Sequence, residues 1–447
     1  NEEPTDTPFP SDLEPEAVRD LSQGASHEPG FLEKSVEGLP PRLSNLILRT
    51  LMSIFMISGF SFLVYLGPLA LVVLVLFLQM GCFKEIIHIG HVVYRSHDLP
   101  WFRTLSWVFL FASNYFLFGE SLIARFRILL AKEDFLAPLV VHHRFISFCL
   151  YCGCIIAFVL NLVRRHYLKQ FTLFGWTHVT LLLIVTSSHL MIQSIFDGLI
   201  WFLMPTAMVI SNDIMAYIFG MMLGKTPLIK LSPKKTWEGF IGGGISSLLL
   251  GLLFSLAVID NKHFICPIEY DDTLGALSMD CVPDAIFIPR TYNVSRWLFF
   301  VPFRTFTWYP YFKHCIVIGL FVSFVGPFGG FFASGFKRAF RIKDFGDVIP
   351  GHGGIMDRFD CQIITGWFVF FYYHSFVKPA STGFLLQQLF VLPHHEQLAF
   401  LGTFIDGLTR RGVLPATLSQ PILDFAEQAR KSAAIASSLN DDLPNPP

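Results

Sequence analysis

The stretch SGFKRAFRIKDFGDVIPGHGGIMDRFD, Ser334 to Asp360, gathers the side chains best suited to chemistry. Four bases, Lys337, Arg338, Arg341 and Lys343, are followed by a turn-rich loop around His352, Gly353 and Gly354. Asp344, Asp347, Asp357 and Asp360 lie in the same segment. Asp357 and Asp360 are three residues apart where the next apolar run predicts the first turns of a helix, so they share a face, and the helix dipole favours carboxylates there. With Asp344 from the preceding loop, they suit a hard cation. Mg²⁺ takes one or two carboxylates and completes its shell with substrate phosphates. Glycines let backbone approach phosphate oxygens, and the bases neutralise the remaining phosphate charge. The chemistry this predicts is Mg²⁺-dependent phosphoryl or nucleotidyl transfer. Bases alone would mark only a headgroup-level loop; the carboxylate pair and the His-Gly-Gly turn decide against that.

A second cluster runs from Ser211 to Gly239. Asn212 and Asp213 lie inside an apolar helix, where an ionisable group is a functional candidate or a packing contact to a neighbouring helix. Ser232-Pro233 reads as an N-cap and first helical position. A helix N-terminus carrying Lys234 and Lys235 suits a triphosphate; the plainer alternative is a capped basic turn. Asp213 is a further candidate metal ligand, and Ser232, Lys234 and Lys235 are candidate nucleotide-phosphate ligands. Weaker signals take plainer readings: Glu85, His88 and His91 on an interfacial helix, His142-His143-Arg144 as a headgroup anchor, and Cys149, Cys152 and Cys154 as small residues in a membrane helix.

The elements that must carry these residues are membrane spans. Of 447 residues, 53% are hydrophobic, 15% are charged and 49 are Phe, where a soluble domain carries about 25% charged residues. The expected fold is an all-α integral membrane protein, a bundle of about nine transmembrane helices. Seven runs have the roughly 20-residue length of a span: 104–122, 142–163, 171–193, 198–224, 238–259, 314–335 and 355–376. The uncharged stretch 51–83 would be about 50 Å long as one helix, and Gly67-Pro68 in its middle predicts two short spans. Gly326-Pro327 and Gly329-Gly330 predict a kink in the eighth. Four basic loops, 84–103, 164–169, 225–235 and 337–343, then fall on one side, the cytosol; the loop 123–141, with Arg125, Arg127 and Lys132, dissents. Residues 260–313 fall on the far side, where a Cys266–Cys281 disulfide and a glycan at Asn293-Val294-Ser295 are both permitted. Residues 1–45, with ten acidic residues, are expected to be a disordered cytosolic tail, 46–376 the catalytic domain, and 377–447 a C-terminal tail with a short amphipathic helix between Ile422 and Ser438.

The run from Ser334 to Asp360 resembles the signature of the phosphatidate cytidylyltransferases, or CDP-diacylglycerol synthases. It is met here by Ser334, Lys337, Arg338, Lys343, Asp344, His352, Gly353, Gly354, Asp357, Arg358 and Asp360 without departure. The runs LSPKKTWEGFIGG and GPFGGFFASGFKRAF are similar to the eukaryotic branch, and the resemblance covers about residues 45–390. It implies transfer of a cytidylyl group from CTP to phosphatidic acid, giving CDP-diacylglycerol and pyrophosphate for phosphatidylinositol and related phospholipid synthesis. It also implies Mg²⁺ and a multi-pass protein of the endoplasmic reticulum membrane with its site facing the cytosol. Asp344, Asp357 and Asp360 are assigned to the metal. Lys337, Arg338, Arg341, Lys343, Gly353 and Gly354 are assigned to phosphate, and His352 to orienting phosphate or protonating the leaving group. Partners are CTP, phosphatidic acid and membrane lipids; a homodimer is left open, and no nucleic acid is expected. Two rivals stand: a CTP-dependent lipid kinase, which would release CDP, and a transporter binding an ion at Asp213.

Overall fold

A computed structural model describes residues 41–93, 100–131, 137–164, 166–229, 231–271, 276–293, 305–349, 353–378, 389, 392–415 and 417–428. The N-terminal tail before Pro41, His352, most of the sequon and the end of the C-terminal tail lie outside them. Two compact units are present, 1–374 and 375–447.

In the first unit, α1 (Pro41–Leu66) and α2 (Pro68–Val93) are separate helices. Gly67 between them has φ 103°, a left-handed conformation that glycine adopts without strain, and Pro68 then takes the first helical position of α2, where its missing N–H costs nothing. The stretch 51–83 is therefore two helices. Next come α3 (Pro100–Ala131), a short α4 (Ala137–Val141), α5 (His143–Leu160), α6 (Tyr167–Asp197) and α7 (Ile200–Leu223). A hairpin of β1 (Pro227–Ile229) and β2 (Ser232–Thr236) leads into α8 (Trp237–Val258). Beyond α8 lie the short α9 (Lys262–Ile265) and two ladders, β3 (Glu269–Asp271) with β4 (Ala276–Ser278) and β5 (Arg290–Asn293) with β6 (Thr305–Trp308). The bundle closes with α10 (Tyr311–Phe324), α11 (Gly326–Ala339) and α12 (Met356–Tyr372). The predicted break in the eighth run falls at Val325, immediately before Gly326-Pro327.

Six helices among the described residues are long and apolar enough to cross a membrane, α10 and α11 counting together as one broken span. The fold is an all-helical membrane bundle whose outer faces carry exposed Val73, Leu182, Leu249 and Leu253, as an apolar solvent allows. Its core joins Leu71, Phe83 and Ile87 of α2, Phe109 of α3, and Leu181, Val185 and Ile192 of α6. In lipid, helices associate through close packing and interhelical hydrogen bonds. α8 carries a buried stripe of small residues at every fourth position, Gly239, Gly243, Ser247, Gly251 and Ser255. Cβ atoms added at Gly239 and Gly243 would stand 2.6 Å from the Ala216 carbonyl and 2.9 Å from the Ala216 Cβ of α7, and Ser247 Oγ donates to the Met208 carbonyl at 2.8 Å.

The His142–Arg144 anchor is corrected in part. His143 is buried with Nε2 2.9 Å from the Tyr115 carbonyl, while Arg144 pairs with Glu120 at 2.7 Å. Cys266 and Cys281 form a disulfide beyond the end of α8. In the second unit, α13 (His394–Arg410) stacks Phe400 on Phe404 and pairs Arg410 with Asp406 at 2.9 Å. A further helix spans 417–428, covering the start of the predicted amphipathic segment.

Candidate functional site

Helix α11 ends in a turn that releases its bases to the surface. Ile342 N–H donates to the Lys337 carbonyl at 3.0 Å and Arg341 N–H to the Arg338 carbonyl at 3.2 Å. This is the closing pattern of a helix with a left-handed residue just past its end. Here that residue is Arg341, at φ 55°, a conformation uncommon outside glycine. Ile342 and Phe345 sink into a cluster with Ala333, Ile355, Met356 and Ile86, while Arg338, Arg341, Lys343 and Asp344 stay exposed.

Lys337 turns inward instead. Its Nζ lies 2.6 Å from Asp357 Oδ1, with the side chains 19% and 6% exposed. The other oxygen of Asp357 accepts from the Phe345 N–H at 2.9 Å and the Gly354 N–H at 3.1 Å. Asp357 thus ties α11, the 345 turn and the start of α12 together. Gly354, expected to present its N–H to phosphate, is buried and gives that N–H to Asp357. Its missing Cβ leaves room for Gly346 N, 2.7 Å from where a Cβ would stand, and for Glu85 Oε2 at 2.8 Å. Gly353 has φ 80° and packs on Asp344, whose Cγ would be 3.2 Å from a Cβ.

Asp360, one turn on, faces a different set of groups. α11 crosses α12 with Gly329 against the Asp360 backbone, and a Cβ at Gly330 would stand 3.4 Å from Asp360 Oδ2 and 3.7 Å from Lys235 Nζ. Lys235 and Asp360 therefore border the same space beside Gly330, with Lys235 Nζ also 5.0 Å from the Phe331 ring centre. Asp360 Oδ1 accepts from the Cys361 N–H at 2.7 Å. Asp213, on α7, is close enough for its charge to act on Asp360, and the charges of Lys235 and Arg358 act on Asp213. Although it sits mid-helix, Asp213 remains exposed while Asn212 beside it is buried. Among the described residues no three His, Cys, Asp or Glu side chains gather as a ready-made metal cage.

The helix start predicted at Ser232-Pro233 is corrected. Ser232 to Thr236 form strand β2, and α8 begins at Trp237 with Thr236 as its N-cap, the Thr236 side chain accepting from the Gly239 N–H at 3.3 Å. Proline's fixed φ suits an extended chain as well as a first helical turn, so the local signal was ambiguous. Glu238 decides it by accepting from Lys225 N–H, Thr226 N–H and the Thr226 hydroxyl at 2.9–3.3 Å, which pins the hairpin to α8. Ser232 and Lys235 consequently lie on a strand beside the site. The Lys234 side chain and His352 lie outside the described residues.

One contributor escaped the sequence reading. Glu85, assigned there to an interfacial helix, is 6% exposed inside α2 and accepts from the Ile355 N–H at 2.8 Å and the Met356 N–H at 2.9 Å. Its local signal was its neighbours: Cys82, Ile86 and Ile89 sit at helical spacing around it and share its buried face.

The sequence model of the Cytidylyltransferase family matches residues 47–376. A Caenorhabditis elegans protein named phosphatidate cytidylyltransferase is 50% identical over 410 residues, covering 89% of this chain and 87% of the relative. Mus musculus phosphatidate cytidylyltransferase 2 is 47% identical over 399 residues, covering 89% and 90%. Homo sapiens phosphatidate cytidylyltransferase 1 is 47% identical over 402 residues, covering 90% and 87%. The match takes in both halves of the site, the α7–α8 hairpin and the α11–α12 crossing, and the chain belongs to the cytidylyltransferase family, alongside these eukaryotic relatives.

Proposed function

We propose that this chain transfers the cytidylyl group of CTP to phosphatidic acid, giving CDP-diacylglycerol and pyrophosphate, at the mouth of α12. The observation that carries this reading is the meeting of Asp360, Asp213 and Lys235 from three separate elements, under a rim of exposed bases. The names of the relatives supply the two substrates.

The residues present fit a Mg²⁺ ion. Asp213 and Asp360 offer the one or two carboxylates Mg²⁺ uses while leaving phosphate oxygens and water to complete its shell, with Asp344 a third candidate at the rim. Asp357 fits less well, because its oxygens already serve Lys337 and two backbone N–H groups. Bound there, Mg²⁺ would neutralise charge on the nucleotide phosphates. Lys235 balances the paired carboxylates and offers a donor to a phosphate oxygen. Arg338, Arg341 and Lys343 hold the phosphate of the lipid or the departing pyrophosphate, and Ser232 and Lys234 extend the nucleotide subsite. A phosphomonoester oxygen is already anionic at neutral pH. It attacks the α-phosphorus of CTP as the bond to pyrophosphate breaks, so positioning and charge balance carry the reaction. His352 orients the leaving group or gives it a proton.

The same reading gives about nine spans in the endoplasmic reticulum membrane, with the site facing the cytosol. In its support, Lys235 and the Cys266–Cys281 disulfide lie at opposite ends of α8, a helix about 33 Å long, and disulfides persist on the oxidising side of a membrane. The test is turnover by detergent-purified protein with CTP and phosphatidic acid, following pyrophosphate and lipid. Pyrophosphate with a CDP-lipid, lost on chelation of Mg²⁺, is the expected result. CDP with a phosphorylated lipid alcohol would replace this reading with the kinase.

A further inference from the structure

We propose that Glu85 is a positioning residue for this transfer site: reaching across from α2, its carboxylate caps α12 and fixes where Asp357 and Asp360 stand. The inference rests on the reading of the reaction given above, and its physical basis is independent of it.

A carboxylate in a buried position is costly unless hydrogen bonds replace its water. Glu85 follows a stretch without charge from Leu51 to Phe83 and is buried among Cys82, Ile86 and Ile89. The partners it finds are the two backbone N–H groups of Ile355 and Met356. The first N–H groups of a helix have no partner within it, and the positive end of the helix dipole adds to the attraction. α12 has no cap of its own kind, because its N-cap residue is Ile355, whose side chain cannot accept a hydrogen bond. The cap comes instead from 270 residues earlier in the chain.

The surroundings leave the carboxylate no freedom. A Cβ at Gly346 would stand 2.8 Å from Oε1 and one at Gly354 2.8 Å from Oε2. Gly81, one turn before Glu85, lies directly against the Ile355 side chain. Two glycines of the signature loop thus press on the same carboxylate that holds the helix. Asp357 and Asp360 follow Ile355 by two and five residues, so any shift of the cap moves both. A misplacement of about 1 Å at a site that works by positioning costs on the order of 100-fold in rate.

The test uses the full chain, with Glu85→Gln and Glu85→Asp. Gln keeps the size but loses the charge and turns an amide NH₂ toward one of the two N–H donors. Asp keeps the charge and falls one methylene short. Glu85→Gln is expected to lower kcat by about 100-fold, to raise the Mg²⁺ concentration that gives half-maximal activity, and to leave KM for phosphatidic acid within about 2-fold, because the exposed bases of the rim are untouched. Glu85→Asp should recover part of the loss. Hydrogen exchange should quicken at the Ile355 and Met356 amides in Glu85→Gln. Wild-type kcat and Mg²⁺ dependence in Glu85→Gln would overturn the proposal even if its melting temperature fell, as would slowed turnover with exchange at those two amides unchanged. Should Glu85→Gln fail to fold, Gly346→Ala presses on the same carboxylate and is read in the same way. The exchange measurement needs no substrate. A wild-type protein that turned over no CTP would overturn the reaction and leave the capping to be decided by the amides.

Discussion

Asp357 and Asp360 lie three residues apart at the start of one helix, in the same signature, and their surroundings are opposite. Asp357 is met by a lysine and two backbone N–H groups, all from α11 and the loop that precedes α12. Asp360 is met by one N–H from its own neighbour, and beyond that by Lys235 and Asp213 from elements far away in sequence. The first carboxylate is consumed by the fold. The second keeps an oxygen directed at a place where other elements also point. Residue type and spacing do not tell these two carboxylates apart; the donors each has already taken do.

The comparison can be broken most directly at Asp360. Asp360→Asn should lose on the order of 1,000-fold in kcat, the scale for removing a key electrostatic group, while its melting temperature holds or rises, because one of two crowded carboxylates is removed. Activity near wild type would end the distinction drawn here. Asp357→Asn should also lose activity, but together with stability. Stripping one partner from a buried pair costs about 3–5 kcal/mol, visible in thermal or denaturant unfolding, and an unchanged unfolding midpoint would return Asp357 to the metal. Lys235→Met should lower kcat/KM by about 100-fold, the upper range for a hydrogen bond to a charged group, with little change in unfolding; equal losses for Lys235→Met and Lys235→Arg would argue that shape and not charge matters there. The smallest effect is expected at the rim. Arg341→Gly should stabilise the protein by about 1 kcal/mol, because glycine takes the left-handed position without strain, and should slow turnover by about 10-fold if the guanidinium holds phosphate. Gain of stability without loss of rate would leave Arg341 a feature of the turn alone.

Much of the architecture was legible because the relevant signals are local. Gly67-Pro68 marks the end of one helix and the start of the next through backbone conformation alone, and Gly326-Pro327 does the same. The long apolar runs mark the bundle. The signature and the segment carrying Asp213 and Lys235, singled out separately in the sequence, lie beside each other in the fold. What sequence could not supply was the direction in which each side chain turns. Lys337 looks like its exposed neighbours Arg338 and Arg341 and is instead bonded to Asp357. Ser232-Pro233 looks like a helix start, and only the contact of Glu238 with Lys225 and Thr226, thirteen and twelve residues back, makes it a strand. Glu85 finds its partner through the tertiary fold, which no periodicity within α2 records.

That last distance has a consequence during synthesis. Glu85 leaves the ribosome in the second helix, but the two N–H groups its oxygens hold are not made until Ile355 and Met356, 270 and 271 residues later. At about 5–20 residues per second, that is a wait of roughly 14–54 seconds. For that interval α2 carries a carboxylate without those donors, next to Lys84 and just after its long uncharged run, and the least costly place for it is the headgroup layer, where water can still reach it. The helix must then settle into the bundle as α12 arrives. The capping of α12 by α2 is therefore a late event, and a chain cut short before Ile355 would leave Glu85 without the two N–H groups it holds.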